Sequence, residues 1–190
     1  MRLDMPVIET ERLLLRPIEE EDVSDIFEYY HDTAVMKYLT FLPHASIDDT
    51  LRVVRYYLSY ERQGVPQTWA MVHKDHDKVI GHLNFHTIEE DIGEIGYVLH
   101  PSYWNQGLMK EALQELVYVG FWHIGLRRIE AKAAVEHGRS AALLEKCHFK
   151  KEGVLRKYTT LSDGVYHDMI LFSLLKEDIK ECKNEKNIRC

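Results

Sequence analysis

The stretch that decides the fold runs from residue 94 to residue 113 and reads EIGYVLHPSYWNQGLMKEAL. It begins with a strand-like apolar run that Pro101 ends. After Gly107 it continues with apolar residues at helical spacing, Met109 and Leu113, and Leu116 extends this pattern beyond the stretch. The pattern predicts a strand, a short loop and a helix, in that order.

The loop between this strand and helix has features of a phosphate-binding loop. Gly107 allows the backbone to approach a ligand closely. The N-terminus of the helix presents unpaired N–H groups and the positive end of its dipole to an anion. Lys110 in the first turn opposes that dipole unless an anion lies nearby. The loop has neither the Walker pattern nor Gly-x-Gly-x-x-Gly, so taken alone it favours a turn before a core helix over a phosphate site.

The segments on either side predict a mixed α/β domain. Before the quoted stretch come a strand, a helix with acidic residues at its start, a second helix after a capping box of Ser46 and Asp49, and two strands. After it come a strand over residues 128–134, a short helix, and a hairpin turned at Asp163 and Gly164. The quoted strand and helix form one crossover unit with the strand that follows them.

The composition is that of an ordinary globular chain. Its 190 residues are 45% hydrophobic and 29% charged, which suits one domain with its own core. The formal net charge of −7 argues against a nucleic-acid partner. Three cysteines without paired spacing argue against a disulfide framework or a metal site. No apolar run has the length of a signal-peptide core or a membrane span, so we expect a cytoplasmic protein without a membrane partner.

Six segments in a fixed order carry a more specific signal. They are IETERLLLRPIEEED, WAMVHK with VIGHLNF, the quoted stretch, LRRIEAKA, SAALLEKCHFKKEGVLR and DGVYHDMILFSLL. Together they resemble the GCN5-related N-acetyltransferase (GNAT) superfamily, and more narrowly its RimJ/RimL-type branch, named for N-terminal acetylation of ribosomal proteins. The resemblance implies an α/β single-domain GNAT-like fold over residues 1–176. Its sheet should be mixed and mostly antiparallel, with a splayed central parallel strand pair and flanking helices. Residues 177–190 should form a charged tail that frays or adds a short helix.

The same resemblance implies that acetyl-CoA is the co-substrate and that no metal takes part. The loop should hold the pyrophosphate through backbone N–H groups, and the strand before it should pair with the pantetheine amides along an open edge. The Val98 N–H is the expected oxyanion donor. The cofactor-binding residues implied in this way are Tyr97, Val98, Leu99, Trp104, Asn105, Gln106, Gly107, Leu108, Met109, Lys110 and His137.

The sequence departs from the superfamily pattern at several positions. Trp104 and Met109 occupy the ends of a loop that is usually Arg/Gln-x-x-Gly-x-Gly/Ala, as they also do in the RimJ/RimL branch. His137 replaces an asparagine, and Leu144 replaces the tyrosine that many members use as general acid. His148 replaces a glycine at the end of a short helix, where an exposed cap is expected.

Glu94 and Ser140 are the candidate catalytic residues. Glu94 lies close to the expected acetyl group and is the candidate base, directly or through water; it is also consistent with a surface acid on a strand edge. Ser140 is the candidate acid and is equally consistent with the N-terminal cap of the short helix. Cys147 is predicted to be buried, and neither His82 and His86 nor the other histidines have metal-ligand spacing.

We expect the acceptor to be a protein N-terminal α-amine. Such an amine has a pKa of about 7.7–8.0 against about 10.4 for lysine, a difference of roughly 3.5 kcal/mol in deprotonation at neutral pH. The α-amine therefore tolerates a weaker base. A small amine such as a polyamine, an amino acid or an aminoglycoside remains an alternative, and so does a catalytically idle acyl-CoA-binding module. The expected acceptor pocket is built from the first two helices, the segment LTFLPHAS and the final hairpin, whose apolar length also suggests a homodimer.

Overall fold

Eight strands form one mixed sheet in the computed structural model, which describes residues 6–61 and 68–182. The strands are β1 (Ile8–Glu9), β2 (Leu13–Pro17), β3 (Thr68–His73), β4 (Lys78–Glu89), β5 (Ile92–Leu99), β6 (Arg128–Ala134), β7 (Lys150–Thr160) and β8 (Tyr166–Leu175). Their order across the sheet is β1-β2-β3-β4-β5-β6-β8-β7. Only β5 and β6 run parallel among the described strand pairs; the other neighbours are antiparallel. This is the predicted architecture.

Helices cover both faces of the sheet. They are α1 (Val23–Tyr30), α2 (Thr33–Met36), α3 (Ile47–Glu61), α4 (Leu108–Tyr118), α5 (Gly138–Lys146) and α6 (Lys176–Cys182), and α4 continues into a π-helical segment over Val119–Ile124. The first three helices pack their apolar residues on one face, and α4, α5 and α6 pack theirs on the other. Each face of the central strands is therefore buried by a different set of helices.

The two hydrophobic cores divide the side chains of β5 by alternation. Ile95, Tyr97 and Leu99 belong to the core of the α4 face, whereas Val98 belongs to the core of the α1 face. Successive strand residues point to opposite faces, so Glu94 and Gly96 lie on the α1 face together with Val98. This assignment decides which predicted site residues can lie on the same face of the sheet.

The central strand pair separates partway along its length. β5 and β6 are paired from Ile92 with Arg128 to Ile95 with Ala131, and no pairing follows although both strands continue. On its other side β5 stays paired with β4 as far as Leu99, opposite Gly81. The edge of β5 that faces β6 is therefore open after Ile95, as the predicted splay requires.

Local signals explain most element boundaries. The side chains of Ser46 and Asp49 form reciprocal hydrogen bonds with each other's backbone N–H groups at 3.3 and 2.9 Å, which is the predicted capping box of α3. His148 follows α5 with a φ of +67° and an exposed side chain, as expected for a residue that replaces the usual glycine. The chain beyond 176 begins as α6, where the Ile179 side chain is buried. Residues 183–190 lie outside the described part of the chain.

Candidate functional site

The loop before α4 turns its backbone through two left-handed residues. Asn105 has a φ of +61° and Gly107 a φ of +80°, and α4 begins directly afterwards at Leu108 with Gly107 as its N-cap. The side chains of Leu108 and Met109 are buried and anchor the first turn in the core, while Lys110 is exposed. The loop therefore leads into a helix N-terminus whose first amides lack helical partners, as a phosphate site requires.

Arg12, on the chain just before β2, fastens this loop to the body of the protein. Its Nη1 donates to the Gln106 carbonyl at 2.8 Å, and its guanidinium forms an ion pair with Glu111 of α4 at 2.7 Å. The Arg12 amide and the Thr10 hydroxyl also donate to the Glu111 carboxylate, at 2.9 and 2.6 Å. Burial alone would raise the pKa of Glu111, but these hydrogen bonds hold it below its usual value. Glu111 therefore stays ionised and keeps Arg12 in place.

The open edge of β5 presents the backbone groups of Tyr97 and Leu99. The His100 amide donates to the Ile80 carbonyl at 2.8 Å, and this bond sets the alternation of the antiparallel ladder with β4. The Val98 amide, the oxyanion donor expected from the sequence, therefore points towards β4. The amides of Tyr97 and Leu99 point towards the open edge. The Leu99 carbonyl there accepts the Trp104 indole N–H at 2.8 Å, which ties the loop to the strand.

Ser140 and Tyr97 meet beside this edge on the α4 face. Their hydroxyl oxygens lie 2.7 Å apart, and the Ser140 side chain is buried. α5 begins at Gly138 with His137 as its N-cap, so Ser140 is not the capping residue of the helix. Burial raises the pKa of the Tyr97 phenol, which keeps it protonated. The two hydroxyls therefore form one hydrogen-bonded pair beside the open edge of β5.

Two ring contacts lie around the N-terminus of α5. The ring of Tyr38, from the segment between α2 and α3, stacks on His137 with centroids 4.0 Å apart and an interplanar angle of 9°. The Arg139 guanidinium lies 4.8 Å from the centroid of the Trp104 ring. Burial lowers the pKa of His137 to about 4, so its imidazole is neutral at physiological pH. Tyr38 directly precedes the predicted acceptor segment LTFLPHAS. Its contact with His137 therefore places the beginning of that segment beside the start of α5.

Glu94 lies on the opposite face of the sheet, in a cluster of charged and polar groups. Its Oε2 accepts a hydrogen bond from the Lys132 ammonium at 2.6 Å, and its Oε1 lies 3.4 Å from His86 Nε2. The Lys132 ammonium also lies 5.1 Å from the centroid of the Tyr158 ring. Burial alone would lower the pKa of Lys132, but its contacts with Glu94 and Tyr158 raise it. Glu94 is therefore a paired carboxylate and not an isolated surface acid.

Sequence reasoning missed several of these groups. Arg12 reaches a carbonyl 94 positions away, and Lys132 reaches a carboxylate 38 positions away, so neither contact has a local signal. His86 lies at a register shift of β4, next to Thr87, which pairs with Glu94, so its contact with Glu94 depends on an irregularity that the sequence pattern does not show. Across the described part of the chain, no group of three or more His, Cys, Asp or Glu side chains is arranged to hold a metal ion.

A second histidine of β4 is wholly internal. The His82 ring lies between the hydroxyls of Tyr29 and Tyr30, at 3.0 Å from Nδ1 and 3.1 Å from Nε2 respectively. Burial lowers the pKa of His82 to about 4. It is a packed polar group behind the site, with no exposed atom for a substrate. Cys147 is likewise buried, and burial raises the pKa of its thiol to about 11.

None of the helices in residues 6–61 and 68–182 has the length and apolar character needed to cross a membrane.

Comparison with known proteins agrees with this geometry. The family model described as acetyltransferase (GNAT) domain matches residues 12–150. N-acetyltransferase p20 of Bacillus licheniformis is 35% identical over 92% of this chain and 98% of its own length. The ribosomal-protein-serine acetyltransferase of Escherichia coli K12 is 31% identical over 67% of this chain and 71% of its own.

A solved structure of RimL, the ribosomal L7/L12 alpha-N-protein acetyltransferase, in complex with coenzyme A is also similar. It has a TM-score of 0.80 at 26% identity and covers 90% of this chain and 96% of its own. The family model spans most of the chain and includes the loop, the open edge of β5 and the start of α5. The chain therefore belongs to the acetyltransferase (GNAT) family and is an N-acetyltransferase.

Proposed function

We propose that this protein transfers the acetyl group of acetyl-CoA to the N-terminal α-amine of a protein. The observation that supports acetyl-CoA as the acetyl donor is the open edge of β5 after Ile95, which lies beside the glycine-capped start of α4. Backbone groups on that edge suit the amides of pantetheine, which would add as a strand. The unpaired amides at Gly107–Lys110 suit a pyrophosphate. The residues present therefore fit acetyl-CoA.

Three groups of this chain support the transfer itself. An open-edge amide, at Tyr97 or Leu99, can donate to the thioester oxygen as negative charge develops there. Ser140 can protonate the departing sulfur, and the adjacent Tyr97 hydroxyl can restore its proton. Glu94 and its partners face the other side of the sheet, where an amine would approach. The attacking amine and the leaving thiol would therefore lie on opposite faces of the sheet.

Two features favour an α-amine over a lysine as the acceptor. Both carboxylate oxygens of Glu94 already have partners, so no free carboxylate of this cluster is available to deprotonate a strongly basic amine. The pKa gap between the two amine types is about 2.5 units, or roughly 3.5 kcal/mol. RimL and the Escherichia coli relative are named for an alpha-N-protein and a ribosomal-protein serine.

An open depression of the surface beside the acceptor face supports a peptide acceptor over a small amine. A surface depression of about 720 Å³ borders it at the β7 bulge. The depression is lined by Val154, Leu155, Arg156, Lys157, Tyr158 and Asp168. Its Tyr158 also contacts Lys132. The residues that follow an N-terminal amine could lie along this depression while the amine reaches the polar cluster around Glu94.

Acetylation of a defined acceptor panel tests this function. The panel contains hexapeptides that begin with Ser, Ala or Met, the same peptides with a blocked N-terminus and one internal lysine, and spermidine, free lysine and kanamycin. Thiol release and mass spectrometry measure turnover, and calorimetry measures acetyl-CoA binding. We expect transfer to free N-termini only. Turnover confined to the small amines would contradict a protein acceptor but not acetyl-CoA as the donor. Absence of acetyl-CoA binding would contradict both the donor and the acceptor.

A further inference from the structure

The polar groups of the acceptor face gather over one glycine of β5. A side chain at Gly96 would meet the Asn84 amide oxygen at 3.1 Å and His86 Cδ2 at 3.7 Å. Gly96 is the first residue after Ile95, where pairing with β6 ends. His86 therefore stands over the point at which the open edge begins, and the absence of a side chain at Gly96 keeps that point accessible.

Both carboxylate oxygens of Glu94 have partners within this cluster. Oε2 is bound by Lys132 at 2.6 Å, and Oε1 faces His86 Nε2 at 3.4 Å. The Glu94 side chain is 19% exposed and that of Lys132 is 16% exposed, whereas that of His86 is 41% exposed. The imidazole is thus the outermost group of the three and the one that an incoming amine meets first.

The contact with Glu94 also selects the state of the imidazole. A carboxylate opposite Nε2 favours a proton on that nitrogen, which leaves Nδ1 as a lone-pair acceptor in the neutral ring. Burial lowers the pKa of His86 below its ordinary value, Glu94 opposes this effect, and Lys132 adds to it. The ring is therefore neutral and able to accept a proton at physiological pH.

We propose that His86 takes the proton from the attacking amine, with Glu94 orienting the imidazole and Lys132 holding Glu94 in place. The proposal rests on the proposed function and names its base. The amine nitrogen forms a bond to the thioester carbonyl carbon while the carbon–sulfur bond breaks. The attacking nitrogen, positively charged once its bond to carbon has formed, loses a proton to His86 Nδ1 through one water molecule, because Cδ2 is the ring atom nearest Gly96. The departing thiolate takes a proton from Ser140. Glu94 is in this scheme a positioning residue that does not touch the amine.

The pH dependence of turnover separates this dyad from a direct Glu94 base. The charged groups that act on His86 are Glu94 from β5 and Lys132 from β6, and Tyr158 of β7 lies beyond Lys132. Removing Glu94 removes the interaction that raises the pKa of His86, so the acid limb of kcat should move to lower pH in Glu94→Gln. Removing Lys132 should move it to higher pH in Lys132→Met. The titration of the amine itself is common to every variant.

The experiment compares His86→Gln, Glu94→Gln and Lys132→Met on the peptide that wild type acetylates best in the acceptor panel. We expect kcat to fall by about 100-fold in His86→Gln, with acetyl-CoA affinity unchanged. We expect Glu94→Gln and Lys132→Met to remain active with opposite shifts of the acid limb. His123→Gln, which alters an exposed histidine outside the cluster, should match wild type.

Other outcomes overturn the proposal in distinguishable ways. An active His86→Gln beside an inactive Glu94→Gln would make Glu94 the base and leave the proposed function intact. Full activity of both variants would place the base elsewhere. Loss of acetyl-CoA binding in His86→Gln would assign His86 to the donor site. Wild type without turnover on any N-terminal peptide would overturn the proposed function and this base with it.

Discussion

At the residue scale, Ser140 offers a direct test of the leaving-group side. Its hydroxyl is buried, lies 2.7 Å from the Tyr97 hydroxyl, and does not cap α5. We expect Ser140→Ala to lower kcat by about 100-fold, which is a usual contribution of a general acid, while acetyl-CoA affinity stays within a factor of about two. Steady-state kinetics and calorimetry measure the two quantities.

The control for this prediction is Ser59→Ala, since Ser59 lies on α3, where its hydroxyl donates to a backbone carbonyl. It should leave kcat unchanged. An undiminished kcat in Ser140→Ala would reduce Ser140 to a packing residue. Tyr97→Phe would then show whether the phenol alone protonates the thiol.

Substitution of His148 measures how much a left-handed backbone conformation costs in folding free energy at a single position. Its φ of +67° is unfavourable for any residue with a Cβ, and its exposed side chain has little packing to lose. We expect His148→Gly to raise the free energy of unfolding by about 1 kcal/mol, or Tm by about 2–4 °C for a chain of this size. Thermal unfolding measures the change.

A control substitution to glycine within α5 should change the free energy of unfolding in the opposite direction. Glu145 is exposed and helical, so Glu145→Gly should lower stability by about 1 kcal/mol through the low helix propensity of glycine. If both glycine variants were destabilised equally, the left-handed strain at His148 would be negligible.

The sequence identified residues with local signals and missed those with distant partners. Gly107 could be predicted because a loop before a helix favours a residue free to adopt a positive φ. The burial of Cys147 followed from its helical spacing with Leu144. Lys132 could not be connected with Glu94, because that contact depends on the parallel register of β5 and β6, which no single segment encodes.

At the element scale, the connection between β2 and α4 holds the donor loop. Arg12 bonds both the Gln106 carbonyl and the Glu111 carboxylate, so the two side chains act as one unit. We expect Arg12→Ala and Glu111→Ala each to weaken acetyl-CoA binding by about tenfold, equivalent to about 1.4 kcal/mol. The double variant should be little worse than either single one, because the second change removes a contact that is already lost. Calorimetric Kd values complete the cycle.

Kinetics distinguish this positioning role from a role in chemistry. kcat at saturating acetyl-CoA should stay close to wild type in all three variants, and only the concentration needed for saturation should rise. Arg55→Ala, which removes another exposed arginine–carboxylate pair, should change neither value. Fully additive losses of acetyl-CoA affinity in the double variant would contradict the view that Arg12 and Glu111 act as one unit.

Elements were predictable where their patterns were long enough to show a period. The strand–helix–strand unit around the quoted stretch, the capping box of α3 and the final hairpin all appear where expected. β1 and α2 have two and four residues, too few for alternation or helical spacing to be visible. α2 is held instead by Asp32, whose side chain accepts the Ala34 amide at 2.7 Å. Burial of its Val35 and Met36 side chains then adds tertiary packing to this local cap.

At the scale of the whole molecule, the sheet separates donor chemistry from acceptor chemistry. Ser140 and Tyr97 belong to the α4 face, while Glu94 and His86 belong to the α1 face, and the open edge of β5 lies between them. The sequence predicted the longer helices of both sets, but the two-sided division depends on alternation along a strand whose register was unknown. It follows that changes on the α1 face should affect the amine more than acetyl-CoA.

The α1 face is also where the fold should be sensitive to acid. His82 is buried between Tyr29 and Tyr30, and burial lowers its pKa to about 4 from an ordinary value of 6.5. Between these values the unfolded chain binds a proton at His82 that the folded chain does not. Unfolding therefore becomes easier as pH falls from 6.5 towards 4, by about 3 kcal/mol in total, and this loss is absent above pH 6.5.

Replacement of His82 should remove this part of the pH dependence. We expect His82→Gln to be less stable than wild type at pH 7.5, because a buried hydrogen bond is disturbed. The deficit should shrink as pH falls towards 4.5, since the variant has no proton to take up there. Denaturant unfolding at several pH values measures both curves. The other histidines are common to both proteins, and exposed His123→Gln should give a curve parallel to wild type. Parallel curves for His82→Gln would mean that His82 takes up its proton at the same pH in the folded and the unfolded chain, which would contradict the prediction.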